Sequence, residues 1–189
     1  NGPDRFRQWE SEFQDIAAYL ESVEPPAYPF AVDKQLAAVG ERVFRDTCAE
    51  CHGTYGERES YPERVVSLEE VGPDPVRLRS MDGRDRGRYR ESWFARYGQK
   101  QVVDSPAGYV APPLDGIWAS APYFHNGSVP TLWHVLHPDK RPAVWKRTHD
   151  GYDRQRVGLE VATYDEVPAT VQSAKQRRTY FDTSRFGKS

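Results

Sequence analysis

The chain has 189 residues, and its 26 Lys and Arg against 28 Asp and Glu give a formal net charge of -2 with the two signs interspersed. That balance excludes an electrostatic nucleic-acid binder, no apolar run is long enough to span a membrane as a helix, and two cysteines three apart are too few for a disulfide scaffold. The length suits one domain with a real core, and a start at Asn1 rather than Met is expected of a processed, trimmed or fragmentary product. Phe6, Trp9, Phe13, Ile16, Ala17 and Leu20 are spaced as one face of a first helix, which cannot continue through Pro25-Pro26. Residues 25 to 32 then read as an extended linker. Asp33 is placed to cap a second helix with the apolar face Leu36, Val39, Val43 and Phe44, running directly into Cys48. We therefore divide the chain into a leading helix with its linker (1–32) and a main domain (33–189).

Residues 53 to 80 lack periodicity and read as a long surface loop with one short turn. Tyr89, Trp93, Phe94 and Tyr97 return at helical spacing and predict a helix ending at Gly98, and Arg84, Arg86, Arg88, Arg90 and Arg96, before and within it, read as a solvated basic face. Ser105 to Ile117, rich in proline and glycine, should run extended without forming a ladder. Pro130 fits the first turn of a short helix through Leu136, halted by Pro138. Val157 to Tyr164 could be a strand. Gln172 to Ser189 shows no core face, and no internal repeat is present.

The chemistry is concentrated in Cys48-Ala49-Glu50-Cys51-His52. Thiols at this spacing can reach two vinyl groups on one haem edge while the adjacent imidazole faces the iron, which is the pattern of covalent c-type haem attachment. A second ring nitrogen held by a carbonyl would fix the imidazole. A zinc site would need two further ligands from scattered histidines. A thioredoxin-like pair should follow a strand and open a helix, whereas this pair closes one.

Residues 40 to 53, with Gly40-x-x-x-Phe44 before CAECHG, resemble the first helix and haem site of a class I cytochrome c. Asp15 to Ser22 resembles the closing helix of the same family, although it precedes the haem segment. Gly108 to Leu136, with Ala111-Pro112-Pro113-Leu114-Asp115-Gly116-Ile117-Trp118 and Tyr123-Phe124-His125-Asn126-Gly127, is similar to the haem domains of di-haem cytochrome c peroxidases and di-haem rubber oxygenases. The resemblance implies haem c, a mainly α-helical class I cytochrome c-like fold with long Pro-rich loops, truncated or permuted, and an extracytoplasmic, periplasmic location. It places Trp118 and Tyr123 at the macrocycle and His125 nearby. The single Cys-x-x-Cys-His departs from the two-haem pattern.

The second axial position decides function, because Met/His ligation raises the potential while an open iron admits oxygen or peroxide. Met81, the only methionine, is one candidate ligand, alongside His125, a group beyond Ser189, or none. His134 and His137 read as a surface face and His149 as a solvated loop residue. Three functions follow: a one-electron carrier serving a redox partner protein, a peroxidase or oxygenase domain, and a sensor or structural module. The expected assembly is a larger multi-domain cytochrome or a domain-swapped dimer.

Overall fold

The structure is a computed structural model that describes residues 3–57, 59–72, 75–80, 82–92 and 107–185. Helices α1 (Pro3–Arg7) and α2 (Glu10–Glu21) occupy the predicted first helix, which breaks at Gln8 and Trp9. Trp9 stands at the N-cap of α2 with no side-chain cap bond, as expected of a residue with no oxygen to accept one. Helix α3 (Lys34–Thr47) begins where predicted. The Asp33 carboxylate accepts hydrogen bonds from the N–H groups of Gln35 and Leu36 at 2.9 and 3.0 Å, a cap worth about 1 kcal/mol. Phe13, Ile16 and Leu20 of α2 and Leu36, Val39 and Val43 of α3 all lie exposed, so these helices do not supply the core. No helix among the described residues is long and apolar enough to cross a membrane.

The segment between these helices is pinned to the rest of the chain by means that suit its composition. Pro25, Pro26 and Pro29 have no N–H, so they cannot join a ladder, but their carbonyls remain. The Trp118 indole N–H donates to the Pro26 carbonyl at 2.8 Å. Tyr28 meets the Trp118 ring edge-on at 5.7 Å, and Phe30 lies 5.7 Å from Tyr152 beneath the Arg154 guanidinium.

Short helix α4 (Ala49–His52) follows α3 immediately. Strand β1 (Val65–Ser67) then leads into α5 (Leu68–Val71), α6 (Val76–Arg79) and α7 (Gly83–Glu91), the last capped by Asp82. Strand β2 (Gly108–Val110) pairs antiparallel with β1, Val66 opposite Tyr109. Extended chain was expected here without a ladder. The ladder is possible because Gly108 has no side chain: a Cβ there would overlap the Val66 carbonyl. The expected helix over Trp93, Phe94 and Tyr97 lies outside the described residues.

The second half corrects the expected fold class. The chain is not mainly α, because its described residues include two antiparallel sheets. Helix α8 (Leu132–Leu136) is capped by Thr131, placing Pro130 one residue before the cap instead of inside the helix. After it, β3 (Val144–Asp153), β4 (Gly158–Tyr164) and β5 (Phe181–Asp182) form a sheet in the order β4-β3-β5, with short α9 (Ala174–Arg177) between β4 and β5. Val144 and Trp145 are 2% and 5% exposed, and with Val129, Thr131 and Val171 they make the buried core of this half. Helical reasoning missed β3 because Lys146 to Asp150 contains no apolar residue to alternate. Its first two residues bury the sheet instead. The strand expected over Val157–Tyr164 is β4.

Candidate functional site

Cys48 is the hinge between two helices. Its N–H closes α3 on the Phe44 carbonyl at 2.8 Å, and its carbonyl accepts from the N–H groups of Cys51 and His52 at 3.1 and 3.0 Å. Both thiols and the imidazole therefore come off one helical turn. Neither cysteine is in a disulfide, and both are half-buried. His52 Nδ1 lies 2.8 Å from the Pro112 carbonyl oxygen, which can only accept, so the Nδ1–H donates and Nε2 is left free of that proton. A donor set of two thiols and an imidazole oriented through its other nitrogen fits a covalently attached haem. No group of three or more His, Cys, Asp or Glu side chains that could together hold a bare metal ion occurs among the described residues, this turn included.

Gly53 turns the chain out of α4 with φ 81°, in the left-handed region, where a Cβ costs energy. A Cβ would also overlap the Ser60 carbonyl, which accepts from the Thr54 N–H at 2.8 Å. Gly53→Ala is therefore expected to cost about 1 to 3 kcal/mol, read as a lowered thermal midpoint. An unchanged midpoint would show that this turn is not closed against Ser60.

Residues 111–114 form a strap across the end of α4. At its start, the Ala111 N–H donates to the Arg64 carbonyl at 3.1 Å and the Ala111 carbonyl accepts from the Tyr61 hydroxyl at 2.6 Å. At its end, the Leu114 N–H donates to the Tyr55 hydroxyl oxygen at 2.7 Å, while that hydroxyl donates to the His52 carbonyl at 3.1 Å. The Tyr55 ring also sits 5.7 Å from Phe44 of α3. Burial, the largest influence, pushes the Tyr55 phenol above its ordinary pKa, so it stays protonated and able to donate at neutral pH. The Arg64 guanidinium bridges Glu50 in α4 and Glu70 in α5. Such solvent-accessible pairs individually stabilise little.

The remaining expected site residues fall into two groups. Trp118 and Tyr123 are engaged with protein: Trp118 as described, and Tyr123, 6% exposed, through a hydroxyl that donates to the Ile117 carbonyl at 3.0 Å. Burial raises the pKa of the Tyr123 phenol strongly. His125 is exposed in the turn after Tyr123. No described hydrogen bond or ring contact joins these three directly to Cys48, Cys51 or His52. Tyr123 reaches the strap through Ile117, whose N–H bonds the Leu114 carbonyl at 3.1 Å. Met81 lies outside the described residues.

His134 is a correction, because it is 4% exposed rather than on a surface face. Its Nδ1 lies 2.7 Å from the Thr131 hydroxyl, and burial first, then the nearby Arg156 charge, hold its pKa below the usual value. His149 belongs to β3 rather than to a loop. Of the basic run, Arg88 pairs with Asp85 at 3.9 Å and Arg86 donates to the Leu78 carbonyl at 2.8 Å. The site residues that sequence reasoning missed are Tyr55, Tyr61 and the Pro112 carbonyl.

Residues 108–146 match a family model described as RoxA-like, cytochrome c-like. The match contains the strap, Trp118, Tyr123 and His125, so the resemblance of Gly108–Leu136 to cytochrome c-like haem domains of the rubber oxygenase kind is borne out. The uncharacterized protein y4iM of Sinorhizobium fredii (strain NBRC 101917 / NGR234) is 32% identical over 168 residues, covering 76% of this chain and 38% of that protein. The uncharacterized protein y4iJ of the same organism is 44% identical over 57 residues, 30% of this chain and 10% of that protein. The chain thus spans well under half the length of either relative.

Proposed function

We propose that this chain is a mono-haem c-type cytochrome unit that passes single electrons to or from a redox partner protein. The observation that carries the reading is the 2.8 Å contact between His52 Nδ1 and the Pro112 carbonyl. It joins the Cys-x-x-Cys-His turn to the segment that matches the cytochrome c-like family, and it turns the other imidazole nitrogen into the ligand. Cys48 and Cys51 would hold the haem through thioether bonds and His52 would bind its iron from one side. When bound, the haem supplies an iron that cycles between ferric and ferrous states and so handles one electron at a time. The chain's own residues do the rest. The strap orients His52, and the α4 turn keeps both thiols beside it. Met81 would supply the iron's second protein ligand, since thioether sulfur raises the potential into a carrier's range. c-type haem is attached to exported chains in the cytochrome families this chain resembles, which supports an extracytoplasmic location. The small share of y4iM that the chain spans supports its being one part of a larger cytochrome.

A second reading is favoured by the RoxA-like match: a haem oxidoreductase domain whose distal position is open or displaceable, with exposed His125 handling protons. Optical spectra of the purified holoprotein, oxidised and reduced, with and without carbon monoxide, separate the two. The carrier reading expects a low-spin spectrum indifferent to carbon monoxide, with a near-infrared sulfur-to-iron band that Met81→Ala removes. A high-spin form that binds the gas would replace it with the oxidoreductase reading, and a band that survives Met81→Ala would exclude Met81.

A further inference from the structure

We propose that Tyr55 is a positioning residue that sets the reduction potential of the iron by fixing the carbonyl against which His52 is held. This deepens the haem reading and rests on it. The strap carries two consecutive prolines, Pro112 and Pro113, and neither has an N–H. The position of the Pro112 carbonyl is therefore not set by donors of its own or of the next residue. It is set by the polar groups on either side, Ala111 and Leu114. Ala111 is held by Tyr61 and Arg64, which do not bond to His52 in this structure.

Leu114 is held by Tyr55 alone among the side chains described, and Tyr55 is different in kind. Its single hydroxyl accepts from Leu114 N–H and donates to the carbonyl of His52 itself. That carbonyl is one of the helix-terminal acceptors that α4 cannot satisfy internally. The result is a closed ring of contacts: His52 imidazole to Pro112 carbonyl, through Pro113 to Leu114 N–H, through the Tyr55 hydroxyl, and back to the His52 carbonyl. Both ends of one histidine are fastened to one strap. The aromatic ring of Tyr55, set against Phe44, anchors the hydroxyl to α3. A firmly held acceptor strengthens the Nδ1–H bond, makes Nε2 a stronger donor to the metal and favours the ferric state. Loosening it should raise the potential.

The test is the reduction potential of the holoprotein by spectroelectrochemical titration, for the native chain, Tyr55→Phe and Tyr109→Phe. Tyr55→Phe keeps the ring and removes only the hydroxyl. Tyr109→Phe also removes one hydroxyl, which accepts from the Leu78 N–H at 3.1 Å, and no described hydrogen bond joins that hydroxyl to His52 or to residues 111–114. The expected result is a positive shift for Tyr55→Phe and none for Tyr109→Phe, with covalent haem retained in both. No shift in Tyr55→Phe, or an equal shift in both variants, would overturn the proposal. Native-state hydrogen exchange of the unsubstituted holoprotein gives a reading that does not depend on either variant folding. The Leu114 amide should be protected, and exchange at the rate of an open loop would also overturn it. Absence of covalent haem from the native chain after denaturing electrophoresis would instead remove the haem reading itself.

Discussion

Replacing Cys48 and Cys51 together by Ala is expected to abolish covalent haem completely, seen as loss of haem staining after denaturing electrophoresis. The effect is all-or-none because these are the only two thiols in the chain, and a thioether bond to a haem vinyl group needs a thiol. It should also be clean. The backbone of this turn is held by hydrogen bonds from Cys48 N–H to the Phe44 carbonyl and from Cys51 and His52 N–H to the Cys48 carbonyl, none of which uses a side chain. Alanine has the highest helix propensity of any residue, so α4 should survive and continue to present His52 to Pro112. The variant is thus expected to bind haem loosely through His52 and to release it on denaturation. Staining that persisted in the double variant would refute the thioether assignment. Persistence in only one single variant would show that the other thiol carries the bond.

What could be read along the chain was what is local. The Asp33 cap, the helix leading into Cys48 and the Cys-x-x-Cys-His turn each depend on residues within a few positions, and the structure places them as expected. The acceptor for His52 lies 60 residues away and is a backbone carbonyl, a group that every residue carries and no side chain announces. Tyr55 and Tyr61 were invisible for the same reason: their roles are defined by the strap they hold, not by their spacing from His52. The fold class failed at β3, where Lys146 to Asp150 looks like a polar loop. β5 pairs only with Val144 and Trp145 at the apolar start of the strand, and β4 carries the pairing on through Lys146 and Arg147 before the register shifts, so no apolar alternation was needed to make a strand. His134 failed similarly. Its spacing from His137 suggests one helical face, but α8 packs so that Thr131 and His134 are buried together while His137 stacks on Trp133 at 4.4 Å.

Trp145→Ala is expected to be the most destabilising single substitution in the second half of the chain. Trp145 is 5% exposed, stacks on Phe181 of β5 with ring centroids 5.0 Å apart, and donates its indole N–H to the Ser128 carbonyl at 2.9 Å. It therefore joins three segments at once: β3, β5 and the loop that runs from Tyr123 to Pro130. Truncating a buried Trp to Ala costs about 3 to 5 kcal/mol, against a total stability of about 5 to 15 kcal/mol for an ordinary domain. Trp145→Phe is the milder change, because it keeps a ring for Phe181 while removing the N–H and part of the buried ring volume. Leaving the buried Ser128 carbonyl without its donor costs about 1 to 3 kcal/mol, to which the smaller ring adds a cavity term. Denaturant unfolding of all three proteins should rank them native, Trp145→Phe, Trp145→Ala. The loop held by Trp145 also carries Tyr123, whose hydroxyl bonds Ile117 and so reaches the strap. If the sheet and the haem turn unfold as one unit, haem absorbance and far-ultraviolet circular dichroism should be lost at the same denaturant concentration in each protein. A haem signal that outlasts the sheet in Trp145→Ala would show instead that α3, α4 and the strap hold together without it.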